Sequence, residues 1–167
     1  MTTIERSIEI DAPASIAYDV WTQFERFPSF MKGVESVRQV DDRHLHWRAK
    51  VAGRVEEWRA EITEQIPDKR IAWASEGGIQ NAGVVTFHRL SDERSRVMLQ
   101  IGYELDGLAE RVGDALGFLS SSVAGDLERF KDFVEREGER VGGWRGRVPA
   151  PPDAAQQAAG EAREDDA

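Results

Sequence analysis

Apolar and polar residues alternate with a period of two along much of this chain. In residues 2–11, Ile4, Ile8 and Ile10 share one side of the alternation, which is typical of a half-buried β-strand. The same pattern returns in six further segments, at residues 34–40, 45–52, 55–66, 70–75, 83–90 and 96–105. Because short turns separate these six segments, we expect an antiparallel meander.

The apolar spacing becomes helical in three other places. Ile16, Val20 and Phe24 mark a first helix over residues 14–24. A second short helix is expected to begin near Pro28, since proline is favoured in the first turn of a helix. Residues 108–137 carry apolar side chains at spacings of three and four, and a helix of this length is about 45 Å long.

These elements predict an α+β protein in which a curved antiparallel sheet wraps around a long C-terminal helix, with two small helices after the first strand. The 167 residues suit a single core, and we assign residues 1–137 to one ligand-binding domain. Residues 138–167 are rich in glycine, proline, alanine and acidic residues, so we expect a disordered tail. Trp144 is an unusual residue for such a tail.

Composition excludes several classes of function. The chain has no cysteine, which excludes disulfides and thiol chemistry. Its net charge of −9 disfavours nucleic acid and anionic membrane surfaces as partners. Its first residues lack a signal-peptide pattern, and no apolar stretch approaches the roughly 20 residues of a membrane helix. We therefore expect a cytoplasmic protein without an integral membrane segment.

Three tryptophans lie on the apolar side of three consecutive predicted strands. Trp47, Trp58 and Trp73 would therefore point to the same side of the sheet. An inward tryptophan ordinarily fills core volume, and its indole N–H needs a hydrogen-bond acceptor when it is buried. Three of them on adjacent strands also fit the wall of a hollow, where a ligand oxygen could accept that hydrogen bond.

The other candidate cavity residues come from the small helices, the later strands and the long helix. Tyr103 is the one candidate for catalysis, because its hydroxyl can bind a ligand carbonyl or act as a weak acid. The alternative interpretation is that Tyr103 lies at the end of a strand with its hydroxyl in water. The full set of predicted cavity residues is Trp21, Phe27, Phe30, Trp47, Trp58, Trp73, Phe87, Leu99, Tyr103, Leu116, Leu119 and Val123.

Common catalytic and metal motifs do not occur in the sequence. The three histidines, His44, His46 and His88, have no zinc-site spacing, so we expect no metal and no cofactor. The serines at 120–122 lie in the predicted long helix, outside any G-x-S-x-G elbow. The glycines at 77–78 lack the strand–turn–helix context of a phosphate loop.

The order of elements resembles the START-like helix-grip superfamily, and within it the polyketide cyclase/dehydrase and coenzyme-Q-binding branch. The resemblance covers about residues 2–137. It is carried by residues 8–13 (IEIDAP), Val20-Trp21, Phe27-Pro28, Glu57-Trp58, Glu61-Ile62 and Ile71-Ala72-Trp73. It implies a deep cavity between the sheet and the long helix, in a superfamily whose members bind lipids, sterols, quinones, plant hormones or polyketides.

Three functions follow as hypotheses. The first is a carrier that binds a hydrophobic or aromatic small molecule such as a lipid, quinone or polyketide. The second is a polyketide aromatase/cyclase-dehydratase acting on a poly-β-ketone chain. Against it, family enzymes place cationic groups inside the cavity, whereas Arg48 and Arg59 alternate to the outer face. The third is an interaction module that delivers a lipid or binds a partner protein.

Overall fold

A computed structural model describes residues 2–51, 53–77, 80–103 and 112–150 of the chain. Its elements confirm the predicted order of strand, two small helices, six-stranded meander and long helix. They are β1 (Thr2–Ile10), α1 (Ala14–Trp21), a 3₁₀ helix (Phe24–Ser29), β2 (Val34–Gln39), β3 (His44–Val51), β4 (Arg54–Ile66), β5 (Arg70–Gly77), β6 (Asn81–Arg89), β7 (Ser95–Tyr103) and α2 (Val112–Val141).

All seven strands form one antiparallel sheet in the order β1-β7-β6-β5-β4-β3-β2. The first strand pairs with the last, from Thr2 opposite Tyr103 to Ile10 opposite Ser95. The meander therefore starts at the edge strand β2 and ends beside β1, which forms the other edge. This curled sheet holds α2 against its inner face, so the α+β helix-grip prediction is confirmed.

The small-helix region differs in detail from its prediction. The helix α1 ends at Trp21 rather than at residue 24. The second helix is a 3₁₀ helix that starts at Phe24, so Pro28 lies near its end and does not begin it. Proline is tolerated there because a 3₁₀ helix of this length leaves few backbone N–H groups with an intrahelical acceptor.

A β-bulge changes which residues of β4 face the core. Trp58, Ala60 and Ile62 are buried in simple alternation, but the register then shifts between Ile62 and Glu64. Gln65 consequently points inward and is fully buried. Its side-chain amide donates a hydrogen bond of 3.0 Å to the hydroxyl of Tyr18 on α1. One extra residue in a strand re-aims every later side chain.

Residues that follow the long helix pack against the domain. The helix continues to Val141, beyond the predicted start of the tail at residue 138. Val148 is buried and forms an isolated bridge with Gln65, through backbone hydrogen bonds of 2.8 and 3.0 Å. The Arg145 guanidinium pairs with Asp19 at 2.5 Å and with Asp68 at 2.6 Å. Residues 151–167 lie outside the described part, so the tail there stays a prediction.

Candidate ligand-binding cavity

A cavity of about 120 Å³ lies between the concave face of the sheet, the 3₁₀ helix and α2. Aromatic and aliphatic side chains form most of its wall, and a few polar groups interrupt them. The described lining residues are Trp21, Phe24, Phe27, Met31, Gly33, Val34, Leu45, Trp47, Ala49, Lys50, Trp58, Ile62, Ile71, Trp73, Asn81, Leu99, Ile101, Tyr103, Ser122, Val123, Asp126 and Leu127.

The three tryptophans of the meander share this wall. Trp47 and Trp58 are directly opposite each other in β3 and β4, and their rings stack with centroids 5.7 Å apart and planes 6° from parallel. Trp73 follows on β5, where its ring lies over Gly83 of β6: a Cβ built there would be 2.5 Å from Trp73 Cζ2. Glycine at this position makes room for the indole.

The indole N–H of Trp47 is buried, and it has no hydrogen-bond acceptor among the described residues. A buried donor without an acceptor costs roughly 1–3 kcal/mol. Buried donors without an acceptor are rare in folded proteins, so this one requires an explanation. This wall of the cavity is therefore not optimised for packing alone.

Three ionisable side chains contribute to the described cavity wall, those of Lys50, Tyr103 and Asp126. Tyr103 lies at the end of β7, and burial, assisted by the charge of Asp126, raises the pKa of its hydroxyl to about 12. Asp126 lies on α2, and burial raises the pKa of its carboxyl above the ordinary value. The Tyr103 hydroxyl has no hydrogen-bond partner among the described residues, so it is available to a ligand.

Asp126 also helps to hold the segment between the 3₁₀ helix and β2 against α2. Its Oδ1 accepts hydrogen bonds from the backbone N–H of Lys32 at 3.2 Å and from the Arg129 guanidinium at 2.5 Å. Arg129 Nε in turn donates to the carbonyl oxygen of Phe30 at 2.9 Å. Because Met31 and Gly33 line the cavity, α2 sets the position of this part of the wall.

Most of the predicted cavity residues whose side chains are described do line the cavity. These are Trp21, Phe27, Trp47, Trp58, Trp73, Leu99, Tyr103 and Val123. Leu116 and Leu119 belong to the first turns of α2, whose side chains lie outside the described residues. A role of any of these residues in ligand binding stays a prediction.

Phe30 and Phe87 differ from the expectation that they line the cavity. Both are buried, yet neither is among the described lining residues. Phe87 lies near the far end of β6, where it packs edge-on against Tyr18 and Trp21. Phe30 packs against Phe130 of α2, with ring centroids 5.4 Å apart. Alternation identifies the inward face of a strand, but it does not give the distance of a residue from the cavity.

Asp126 is the functional candidate that the sequence interpretation missed. A signal for it does exist, because it interrupts the apolar stripe of Val123, Leu127 and Phe130. A carboxylate at helical spacing within such a stripe faces the core or a cavity. Asn81, which is buried at the start of β6 and lines the cavity, has no comparable signal in the sequence.

Three side chains of the types that bind metal ions lie close together on the outer face of the sheet. His44, Glu61 and Glu76 bring one donor atom each within 4.8 Å of the others. His44 and Glu61 are directly opposite each other in β3 and β4. Because the pairing of the strands brings them together, no short sequence motif predicts the cluster. Asp41 holds the Nδ1 of His44 at 2.8 Å and raises the pKa of the imidazole.

A half-barrel sheet closed by a C-terminal helix around an apolar cavity defines a START-like helix-grip protein. The chain matches the family model "Polyketide cyclase / dehydrase and lipid transport" over residues 10–132, and it belongs to that family. It is 53% identical over 149 residues to an uncharacterised 17.2 kDa protein of Streptomyces lincolnensis, covering 89% of this chain and 99% of that protein.

Solved structures share the fold. The Zhui aromatase/cyclase of Streptomyces sp. R1128 has a TM-score of 0.68 at 18% identity, covering 86% of this chain and 99% of that chain. A START superfamily protein of Mycobacterium smegmatis has a TM-score of 0.68 at 12% identity, covering 80% and 97%. No helix in the described part of this chain is both long and apolar enough to cross a membrane.

Proposed function

We propose that this protein binds a hydrophobic or aromatic small molecule in the cavity between its sheet and α2. The single observation that carries the proposal is the apolar cavity whose wall contains Trp47, Trp58 and Trp73. Binding would draw on apolar burial, at about 25 cal/mol per Å² removed from water. A cavity of about 150 Å³ lined by apolar side chains holds benzene in another protein, so a single-ring compound suits a cavity of about 120 Å³.

The test is tryptophan fluorescence during titration with lipids, quinones and aromatic compounds. Binding should change the emission of the wall indoles, and native mass spectrometry should detect an apolar molecule that copurifies with the chain. If no compound perturbs the indoles and no molecule copurifies, the proposal fails.

A matched pair of variants distinguishes binding inside the cavity from binding elsewhere on the sheet. Ala49 is buried in the cavity wall, so Ala49→Leu should fill the space and weaken binding at least about tenfold. Ala74 is the neighbour of Trp73, on the opposite face of β5. Ala74→Leu should therefore leave binding unchanged. Equal losses in both variants would place the bound molecule outside the cavity.

A second candidate is cyclisation of a poly-β-ketone chain, and the pair of Asp126 and Tyr103 favours it. The Asp126 carboxylate could accept a proton from a methylene between two ketones, while the Tyr103 hydroxyl donates to the enolate oxygen. The enolate carbon would then form a bond to another carbonyl carbon, whose oxygen takes the proton held by Asp126 and becomes a hydroxyl group. This hydroxyl leaves as water together with the second proton of the same methylene, and a carbon–carbon double bond forms. Asp126→Asn and Tyr103→Phe should each reduce turnover of a poly-β-ketone mimic about 100-fold. Unchanged turnover in both variants would exclude this mechanism.

A further inference from the structure

The polar groups of the cavity wall differ in the hydrogen bonds that they can form with a ligand. Tyr103 offers a hydroxyl that can both donate and accept a hydrogen bond, and it has no partner within the described part of the chain. Asp126 offers a carboxylate that accepts only, and its described hydrogen bonds all involve Oδ1. Both groups line the same cavity, and the charge of Asp126 acts on the Tyr103 hydroxyl.

The cations that accompany Asp126 lie away from the cavity. Arg129 and Lys32 are not among the described lining residues. The donors of Arg129 are directed to Asp126 Oδ1 and to the backbone oxygen of Phe30. Among these three residues, a ligand in the cavity therefore contacts Asp126 and neither of the two cations. A second negative charge placed there would be repelled across a partly dehydrated space.

We propose that the cavity selects an apolar ligand that carries a neutral hydroxyl group and discriminates against carboxylates of the same shape. Such a hydroxyl donates its proton to Asp126 and accepts a hydrogen bond from Tyr103. A ligand with ketone or ether oxygens alone can accept a hydrogen bond from Tyr103, but it has no proton to donate to Asp126, whose described hydrogen bonds leave Oδ2 unused. This inference rests on the proposed binding function and narrows its ligand class to phenols, enols and alcohols.

Lys50 is the lining residue that would favour an anionic ligand. It lies on β3, is exposed, and is the one cationic side chain among the described lining residues. An anionic ligand could place its carboxylate at Lys50 and its apolar part in the cavity. The two arrangements predict different variants to be sensitive, so they can be separated by experiment.

The experiment measures the affinity of four matched probes for the full chain by isothermal titration calorimetry. The probes are 4-butylphenol, 4-butylanisole, butylbenzene and 4-butylbenzoate, at a pH where the benzoate is ionised. The phenol should bind at least about tenfold more tightly than the benzoate, and several-fold more tightly than the anisole. Tyr103→Phe should reduce the preference for phenol over butylbenzene, and Tyr18→Phe, at the other tyrosine, should leave it intact.

Asp126→Asn keeps an oxygen for Lys32 and removes the charge, so it should relieve the discrimination against benzoate. Circular dichroism and thermal unfolding check that each variant is folded, and Tyr103→Phe tests the proposal independently. Benzoate binding that equals phenol binding and is lost in Lys50→Met would overturn the inference. Equal affinity for all four probes would also overturn it, while leaving the binding function in place. If no probe binds, the binding function itself fails and this inference fails with it.

Discussion

At the scale of single residues, Tyr18 and Tyr103 show how surroundings set chemistry. Tyr18 is fully buried between α1 and the sheet, and its hydroxyl accepts a hydrogen bond from Gln65. Tyr103 faces the cavity, and its hydroxyl has no partner among the described residues. Burial raises the pKa of both phenols, that of Tyr103 to about 12. The first hydroxyl stabilises the fold, whereas the second is available for binding.

This difference predicts an alkaline titration. The chain has two tyrosines, and the absorbance of tyrosinate at 295 nm should appear in the native protein at higher pH than in guanidinium. Because the folded pKa of Tyr103 lies above its unfolded value near 10, the unfolded chain loses this proton first. Stability should therefore fall as the pH rises from about 10 towards 12.

The control for the titration is Tyr103→Phe, which should remove the Tyr103 contribution to the absorbance change and leave the Tyr18 contribution. A native protein whose two tyrosines both titrate near pH 10 would contradict the buried surroundings that the structure gives them.

At the scale of elements, close contact between β5 and β6 positions one wall of the cavity. Gly83 lies opposite Trp73 in the register, and the Trp73 indole occupies the space where a side chain would begin. Alternation alone predicts that Trp73 faces inward. It does not predict that its neighbour must be glycine, since this depends on the rotamer that the indole takes over the adjacent strand.

We therefore expect Gly83→Ala to damage the cavity. The added Cβ would be 2.5 Å from Trp73 Cζ2 and 2.8 Å from the backbone oxygen of Gln100, so the strand or the indole must shift. The free energy of unfolding should fall by roughly 1–3 kcal/mol, and the tryptophan emission should change. Urea denaturation followed by fluorescence measures both effects.

Gly77→Ala is the matched control, because its Cβ would meet the flexible end of Arg59 at 3.3 Å. Its effect should stay within about 0.5 kcal/mol. Equal stability losses in the two alanine variants would show that the approach of Trp73 to Gly83 is not the cause.

At the scale of the whole molecule, the segment after α2 completes the end of the domain away from the cavity. Arg145 joins Asp19 of α1 to Asp68 of the β4–β5 turn, and its guanidinium lies 5.6 Å from the centre of the Tyr18 ring. Trp144 donates its backbone N–H to Thr22 at 2.9 Å. Residues 142–150 thus cover the buried pair of Tyr18 and Gln65.

Removing the apolar anchor of this segment should destabilise the protein. Val148 is 2% exposed, so we expect Val148→Ala to lower the free energy of unfolding by about 1–3 kcal/mol. Val40 is 61% exposed, and Val40→Ala should change stability by less than about 0.5 kcal/mol. Thermal and urea unfolding provide the measurement. Wild-type stability in Val148→Ala would mean that this segment contributes nothing to the fold.

Much of the fold could be predicted from the sequence because strand and helix periods are local properties. Alternation placed each strand to within about two residues, and it put Trp47, Trp58 and Trp73 on one face. The outer positions of Arg48 and Arg59 also followed, and both side chains are exposed. The bulge before Gln65 did not follow, because it depends on how β4 pairs with β5 and on what lies beneath it.

The sequence by itself determined the α+β class, the order of elements and the inward face of the meander, since each depends on neighbours along the chain. Tertiary structure alone decided which inward side chains border a cavity and which fill the core, as Trp73 and Phe87 show. It also placed Asp126 in the same cavity wall as Tyr103. The physical reason is that a cavity is the space left between packed elements, and that space depends on their distances and tilts rather than on their periods.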